Sequence, residues 1–125
     1  MVRCLIIDNN PSERQALRVV LEGFGVVCKS MDLNASVAAL DSARPDLVLM
    51  EARNEPAVHD VLRLVQIRAD VGQAPVVILY AEQPSLDDVG LSISAGASDF
   101  LVKPFDAALL RFKLEQAGLL RRPAA

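Results

Sequence analysis

The chain has 125 residues, of which 52% are apolar and 23% charged; this balance excludes a disordered segment, and no apolar run approaches the ~18 residues a membrane span requires. Thirteen basic residues against sixteen acidic ones leave a formal charge of −3, so no general field attracts polyanions and nucleic acid is not an expected partner. Cys4 and Cys28 lie in apolar runs and read as reduced core thiols, and a single histidine, His59, gives no zinc constellation.

The amino terminus, Met1-Val2-Arg3-Cys4, enters a strand-like run directly, without a secretory signal, which implies the cytoplasm. Residues 3–8 form an apolar run ending in an acid. Asn10-Pro11-Ser12-Glu13 then reads as a helix start, with Asn10 as cap, Pro11 at the first helical position and Glu13 closing a capping box. Leu17, Val20, Leu21 and Phe24 give that helix its apolar face, and Gly23 and Gly25 mark its end. A second strand is expected at Val26–Lys29 and a second helix over about 33–42, stopped ahead of Pro45.

Residues 46–50 read as a strand buried on both faces, and a third helix over about 57–69 presents Val58, Val61, Leu62 and Val65. Residues 75–80 form a fourth strand and 84–95 a weaker helix, with Gly90, Ser92 and Ser94 in its interior. Asp99–Val102 is a fifth strand, and 105–120 a closing helix with two apolar stripes, Phe105/Leu109/Phe112 and Leu110/Leu114/Ala117. Residues 121–125, with Arg121-Arg122, read as a solvated tail of one domain spanning 1–125.

Five strands alternating with five helices predict an α/β fold, a doubly wound parallel sheet whose ligands gather at the carboxyl ends of the strands. Those ends carry Asp8-Asn9-Asn10, Glu51-Ala52-Arg53, Tyr80-Ala81 and Lys103-Pro104. No glycine-rich loop follows the first strand, so the backbone cradle of a nucleotide-binding site is missing.

The segments IIDNNP, PDLVLME, PVVILYA and AGASDFLVKPF, in this order, resemble the receiver domains of two-component response regulators over about residues 2–120. That family has the five-stranded, flavodoxin-like CheY fold. The resemblance implies a site with an acid pair and a phosphoacceptor aspartate that hold Mg²⁺, a Ser/Thr and a lysine that contact the phosphoryl group, an aromatic switch residue, and a proline after the lysine, commonly cis. By position Asp8 and Asn9 stand for the acid pair, Glu51 for the phosphoacceptor, Tyr80 for the Ser/Thr, Phe100 for the switch residue, and Lys103-Pro104 are retained. The loop after the third strand departs, with Asn54-Glu55-Pro56 where Met-Pro is common and His59 roughly where glycine is expected.

These substitutions bear on the chemistry. Asn9 removes a charge from the metal site, and Asp8 and Glu51 can be neutralised by Lys103 and Arg53, so weak or no Mg²⁺ binding is expected at Asp8 and Glu51, and no other cofactor. Glutamate moves the nucleophile out by about 1.5 Å, where a misplacement of about 1 Å can cost on the order of a hundredfold in rate. Glu51 is therefore not expected to be phosphorylated, and its carboxylate should lie within reach of Lys103, either as a partial phosphate mimic or as an inert ion pair.

The expectation is an atypical single-domain response regulator, a pseudo-receiver rather than an enzyme. It would contact a protein partner such as a histidine kinase or phosphotransferase, with a possible homodimer through residues 84–120 and no membrane contact. Two alternatives stay open: a phosphorylatable receiver with a non-standard site that uses Asp8, and a Mg²⁺-dependent phosphohydrolase with Asp8 as nucleophile. The hydrolase reading lacks a second acid two residues on, where Asn10 stands.

Overall fold

The structure, a computed structural model, describes residues 1–53, 55–72 and 74–122; Asn54, Gln73 and the end of the tail, Pro123–Ala125, lie outside the described residues. Ten elements alternate along the chain: β1 (Arg3–Ile7), α1 (Pro11–Gly23), β2 (Val27–Met31), α2 (Leu33–Ala43), β3 (Leu47–Glu51), α3 (Pro56–Asp70), β4 (Val76–Ala81), α4 (Leu86–Ser94), β5 (Asp99–Val102) and α5 (Ala107–Gln116). All strand pairs are parallel, in the order β2-β1-β3-β4-β5. This is the doubly wound five-stranded α/β fold that the alternation predicts. Among the described residues no helix is long and apolar enough to cross a membrane.

Successive side chains of a strand point to opposite faces, so each strand supplies two cores. On one face Cys4, Ile6, Leu47, Leu49, Ile78 and Leu101 pack with Leu17 and Leu21 of α1 and Leu110 and Leu114 of α5. On the other Leu5, Ile7, Val48, Met50, Val77 and Leu79 pack with Leu33 and Leu40 of α2 and Val58, Val61, Leu62 and Val65 of α3. This alternation fixes the site: counting by two, Asp8, Glu51, Tyr80 and Lys103 fall on the α1/α5 side of the strand ends, whereas Asn9 and Phe100 fall on the other.

Several boundaries differ from the sequence reading for local reasons. The closing helix is shorter than 105–120, because Asp106 caps it by accepting from Leu109 N at 2.8 Å and Gly118 turns the chain at φ 79°. Its two stripes separate accordingly. Leu110 and Leu114 are buried, Leu109 and Phe112 face solvent, and Phe105, ahead of the helix, leans on the core. α4 buries none of its residues and lies against β5 with Leu86, Leu91 and Ile93 exposed. A capping box between Ser85 and Asp88 holds its first turn.

Candidate functional site

β1 ends at Ile7, and the chain turns through Asp8 and Asn9 into α1. Asn10 caps α1 by accepting from Ser12 N at 2.9 Å and Glu13 N at 3.3 Å. The capping box expected at Glu13 does not form. Asn10 N donates instead to Asp8 Oδ1 at 2.8 Å, which releases the Glu13 side chain from the helix start. The backbone carbonyl of Asp8 accepts from Arg14 Nη1 at 2.7 Å, so the first turn of α1 holds this corner from both sides.

Tyr80, near the end of β4, is fully buried, and its hydroxyl donates to Asp8 Oδ2 at 2.6 Å. Asp8 itself is only 2% exposed. The bond therefore satisfies a carboxylate and a phenol that both lie away from water, an arrangement without which each would be costly. Above the ring sits Lys103 Nζ, 4.7 Å from the centroid, and beside it Phe105, edge-on with centroids 6.0 Å apart. Burial, then the hydrogen bond to Asp8, then the negative charges of Asp8, Glu51 and Glu13 push the phenol well above its ordinary pKa. It is a locked hydrogen-bond donor at neutral pH.

Lys103 does not reach Glu51. Its ammonium pairs with Glu13 Oε2 at 2.6 Å, and together they form one lip of a cleft of about 500 Å³ between α1 and α5. Glu51, the register partner of Tyr80, instead accepts from Arg53 Nη1 at 3.0 Å, and Arg53 Nε donates to Glu55 at 2.8 Å. Glu55 first and Glu51 second raise the Arg53 pKa. The expected ion pair between Glu51 and Lys103 is thus corrected: each has a nearer partner from its own side of the site. The Lys103-Pro104 bond is cis.

Asn9, on the opposite face, accepts from Leu33 N at 2.8 Å and ties the end of β1 to the start of α2. Phe100 is partly buried against the α2/α3 core and lines a second cavity, of about 390 Å³, with Arg53, His59 and Leu91. The structure therefore brings Asp8, Tyr80 and Lys103 together, leaves Glu51 beside them with its own guanidinium, and sends Asn9 and Phe100 elsewhere. Glu13, Arg14 and Glu55 are the participants that the sequence reading did not assign to the site.

These residues do not fit a divalent cation. Both Asp8 oxygens accept hydrogen bonds, Asn9 Oδ1 is engaged by α2, Glu51 Oε1 by Arg53, and the Tyr80 hydroxyl turns its proton toward Asp8. Among the described residues no three His, Cys, Asp or Glu side chains converge as ligands. Mg²⁺ demands near-octahedral oxygen geometry and gives up water reluctantly, and here Asp8 and Glu51 offer it at most two carboxylates, already hydrogen-bonded and flanked by the cations Arg53 and Lys103. Millimolar Mg²⁺ should leave both the emission of Tyr80, the one tyrosine in the sequence, and the melting temperature unchanged; a micromolar dissociation constant would contradict this.

The family described as response regulator receiver domain matches residues 4–115. The DNA-binding response regulator MtrA of Mycolicibacterium smegmatis is 37% identical over 106 residues, covering 82% of this chain and 44% of that protein. The transcriptional regulatory protein CseB of Streptomyces avermitilis is 33% identical over 119 residues, 94% of this chain and 48% of that protein. The chain thus spans about half the length of these relatives.

Among solved structures, chemotaxis protein CheY4 of Vibrio cholerae superposes with TM-score 0.79 at 20% identity over 93% of this chain and 98% of that one, a likeness of fold. The receiver domain of sensor histidine kinase PA1611 from Pseudomonas aeruginosa, solved with a magnesium ion in its active-site cleft, superposes with TM-score 0.75 at 25% identity, covering 92% and 95%.

Proposed function

The chain belongs to the response regulator receiver domain family, and from that premise we propose that it serves two-component signalling by protein contact, without accepting a phosphoryl group and without Mg²⁺. The observation that carries this reading is the closed Asp8–Tyr80 bond beneath Lys103. It supports the reading because the Tyr80 ring and its bond to Asp8 occupy the corner between Asp8 and Lys103, the positions that by the family resemblance would face a phosphoryl group and its metal. Glu51 supports it from the side, its carboxylate drawn to Arg53 rather than toward Lys103.

With turnover absent, function moves to a surface. The face made by α4, β5 and α5 carries Leu91, Val102 and Phe112 at 70%, 52% and 48% exposure, which favours contact there with a signalling protein or a second copy of the chain. The DNA-binding character of the relatives belongs to those proteins; this domain, acidic overall, is proposed to contact protein and not nucleic acid.

Calorimetric titration into a purified histidine kinase or phosphotransfer domain tests the reading. The expected affinity is the same whether the donor is phosphorylated or not, and falls at least tenfold in Leu91→Asp or Phe112→Asp variants. An affinity that depends on donor phosphorylation, or one indifferent to both substitutions, would contradict it.

A further inference from the structure

Cys4 and Cys28 are register partners on the parallel strands β1 and β2, and both face the α1/α5 core. Neighbouring strands run about 4.8 Å apart, inside the roughly 4.4–6.8 Å window of Cα separations that a disulfide spans, and parallel register points both Cβ atoms the same way. Bridging needs the Cβ atoms to draw slightly inside the strand spacing. β2 is an edge strand paired on one side only, so it can yield.

The two thiols differ in access and in chemistry. Cys28 is 8% exposed and Cys4 3%. The neighbouring Cys4 thiol, helped by the charge of Arg18, lowers the Cys28 pKa, against burial and the charge of Glu22, while the Cys28 neighbour and burial raise Cys4; the Cys28 thiol itself donates to Val26 O at 3.8 Å, a contact it gives up on ionising. Arg18 lies over this part of β2, its Nη2 donating to Ser30 Oγ at 3.2 Å. The outer thiol is therefore the better nucleophile, and the inner one is placed behind it as its partner.

We propose that Cys4 and Cys28 form a reversible oxidation site, in which a hydroperoxide converts the facing thiols into a disulfide joining β1 to β2. The Cys28 thiolate attacks one peroxide oxygen; the O–O bond breaks, and the departing hydroxide takes a proton and leaves as water. The resulting Cys28 sulfenic acid is attacked by the Cys4 sulfur. The S–O bond breaks, the Cys4 proton goes to the departing hydroxyl, and a second water leaves. Two thiols lose two electrons, and hydrogen peroxide is reduced to two waters.

The test treats the folded chain with hydrogen peroxide at neutral pH, blocks remaining thiols with an alkylating agent, and maps tryptic peptides 4–14 and 19–29 without reduction. The expected product has lost two hydrogens, takes up no alkylating agent, links the two peptides within one chain, and reverts with dithiothreitol. In Cys4→Ser, Cys28 should stop at the sulfenic acid and be captured by dimedone, with circular dichroism confirming the fold. Sulfinic or sulfonic acid on one cysteine with the other free, disulfide-linked dimers, thiols that react only after unfolding, or no dimedone adduct in folded Cys4→Ser would overturn the proposal.

Discussion

Tyr80→Phe should destabilise the chain by about 2 kcal/mol at neutral pH, because it removes one hydroxyl and leaves the buried Asp8 carboxylate with the Asn10 N–H as its remaining partner. Hydrogen bonds to charged groups contribute more than neutral ones, and a buried carboxylate cannot recover the lost bond from bulk water. Tyr80→Ala should cost more, about 4 kcal/mol, since it also opens a cavity beneath Lys103 and beside Phe105. Pairing Tyr80→Phe with Asp8→Ala should cost at least 1 kcal/mol less than the sum of the single changes, because neither orphaned group remains. Urea unfolding of the wild type and the four variants measures these differences. A neutral Tyr80→Phe with additive singles would mean that the hydroxyl is not committed to Asp8.

Alkaline solution should unfold the chain through the same residue. The native phenol is held protonated by burial, by Asp8 and by surrounding negative charge, whereas an unfolded tyrosine ionises near pH ~10. Above that pH the unfolded chain binds fewer protons than the folded one, so stability falls as pH rises, by about 1.4 kcal/mol per pH unit from this group. Below it the group's contribution is fully present and flat. With one tyrosine in the sequence, the tyrosinate absorbance band reports Tyr80 alone. It should appear together with the loss of helical circular dichroism, and the Tyr80→Phe variant should lose the excess slope. Tyrosinate formed near pH ~10 in a chain that keeps its helices would contradict the buried bond.

The fold is legible because five apolar strand-like runs alternate with helical periods, and each run gives way to a polar residue at or just past its end. The positions of Asp8, Glu51, Tyr80 and Lys103 followed from those stops, and strand parity places all four on one side of the sheet. Their pairing was harder to read. Glutamate, lysine and arginine have long side chains that reach several partners, and the choice depends on which helix lies above which strand end. The Asn10–Glu13 spacing predicts a capping box, but Asp8 takes the Asn10 N–H and leaves Glu13 to Lys103, a contact across 90 residues of sequence. Arg53 was visible beside Glu51, yet only the turn into α3 shows that it bridges Glu51 and Glu55.

The fate of α5 has a similar cause. Two apolar stripes on one helix do not say which is buried, and the sheet chooses Leu110 and Leu114 because their side meets Leu101 and Tyr80. The remaining stripe, with exposed Leu91 and Val102, is the surface that the proposed function uses.

The most direct measurement is phosphotransfer. The chain is mixed with Mg²⁺ and either acetyl phosphate or a phosphorylated phosphotransfer domain, and its intact mass is followed with time. The mass should stay that of the unmodified chain while a receiver bearing an aspartate at this place is labelled in parallel. A phosphoryl adduct that forms on the wild type and disappears in Glu51→Ala would contradict it.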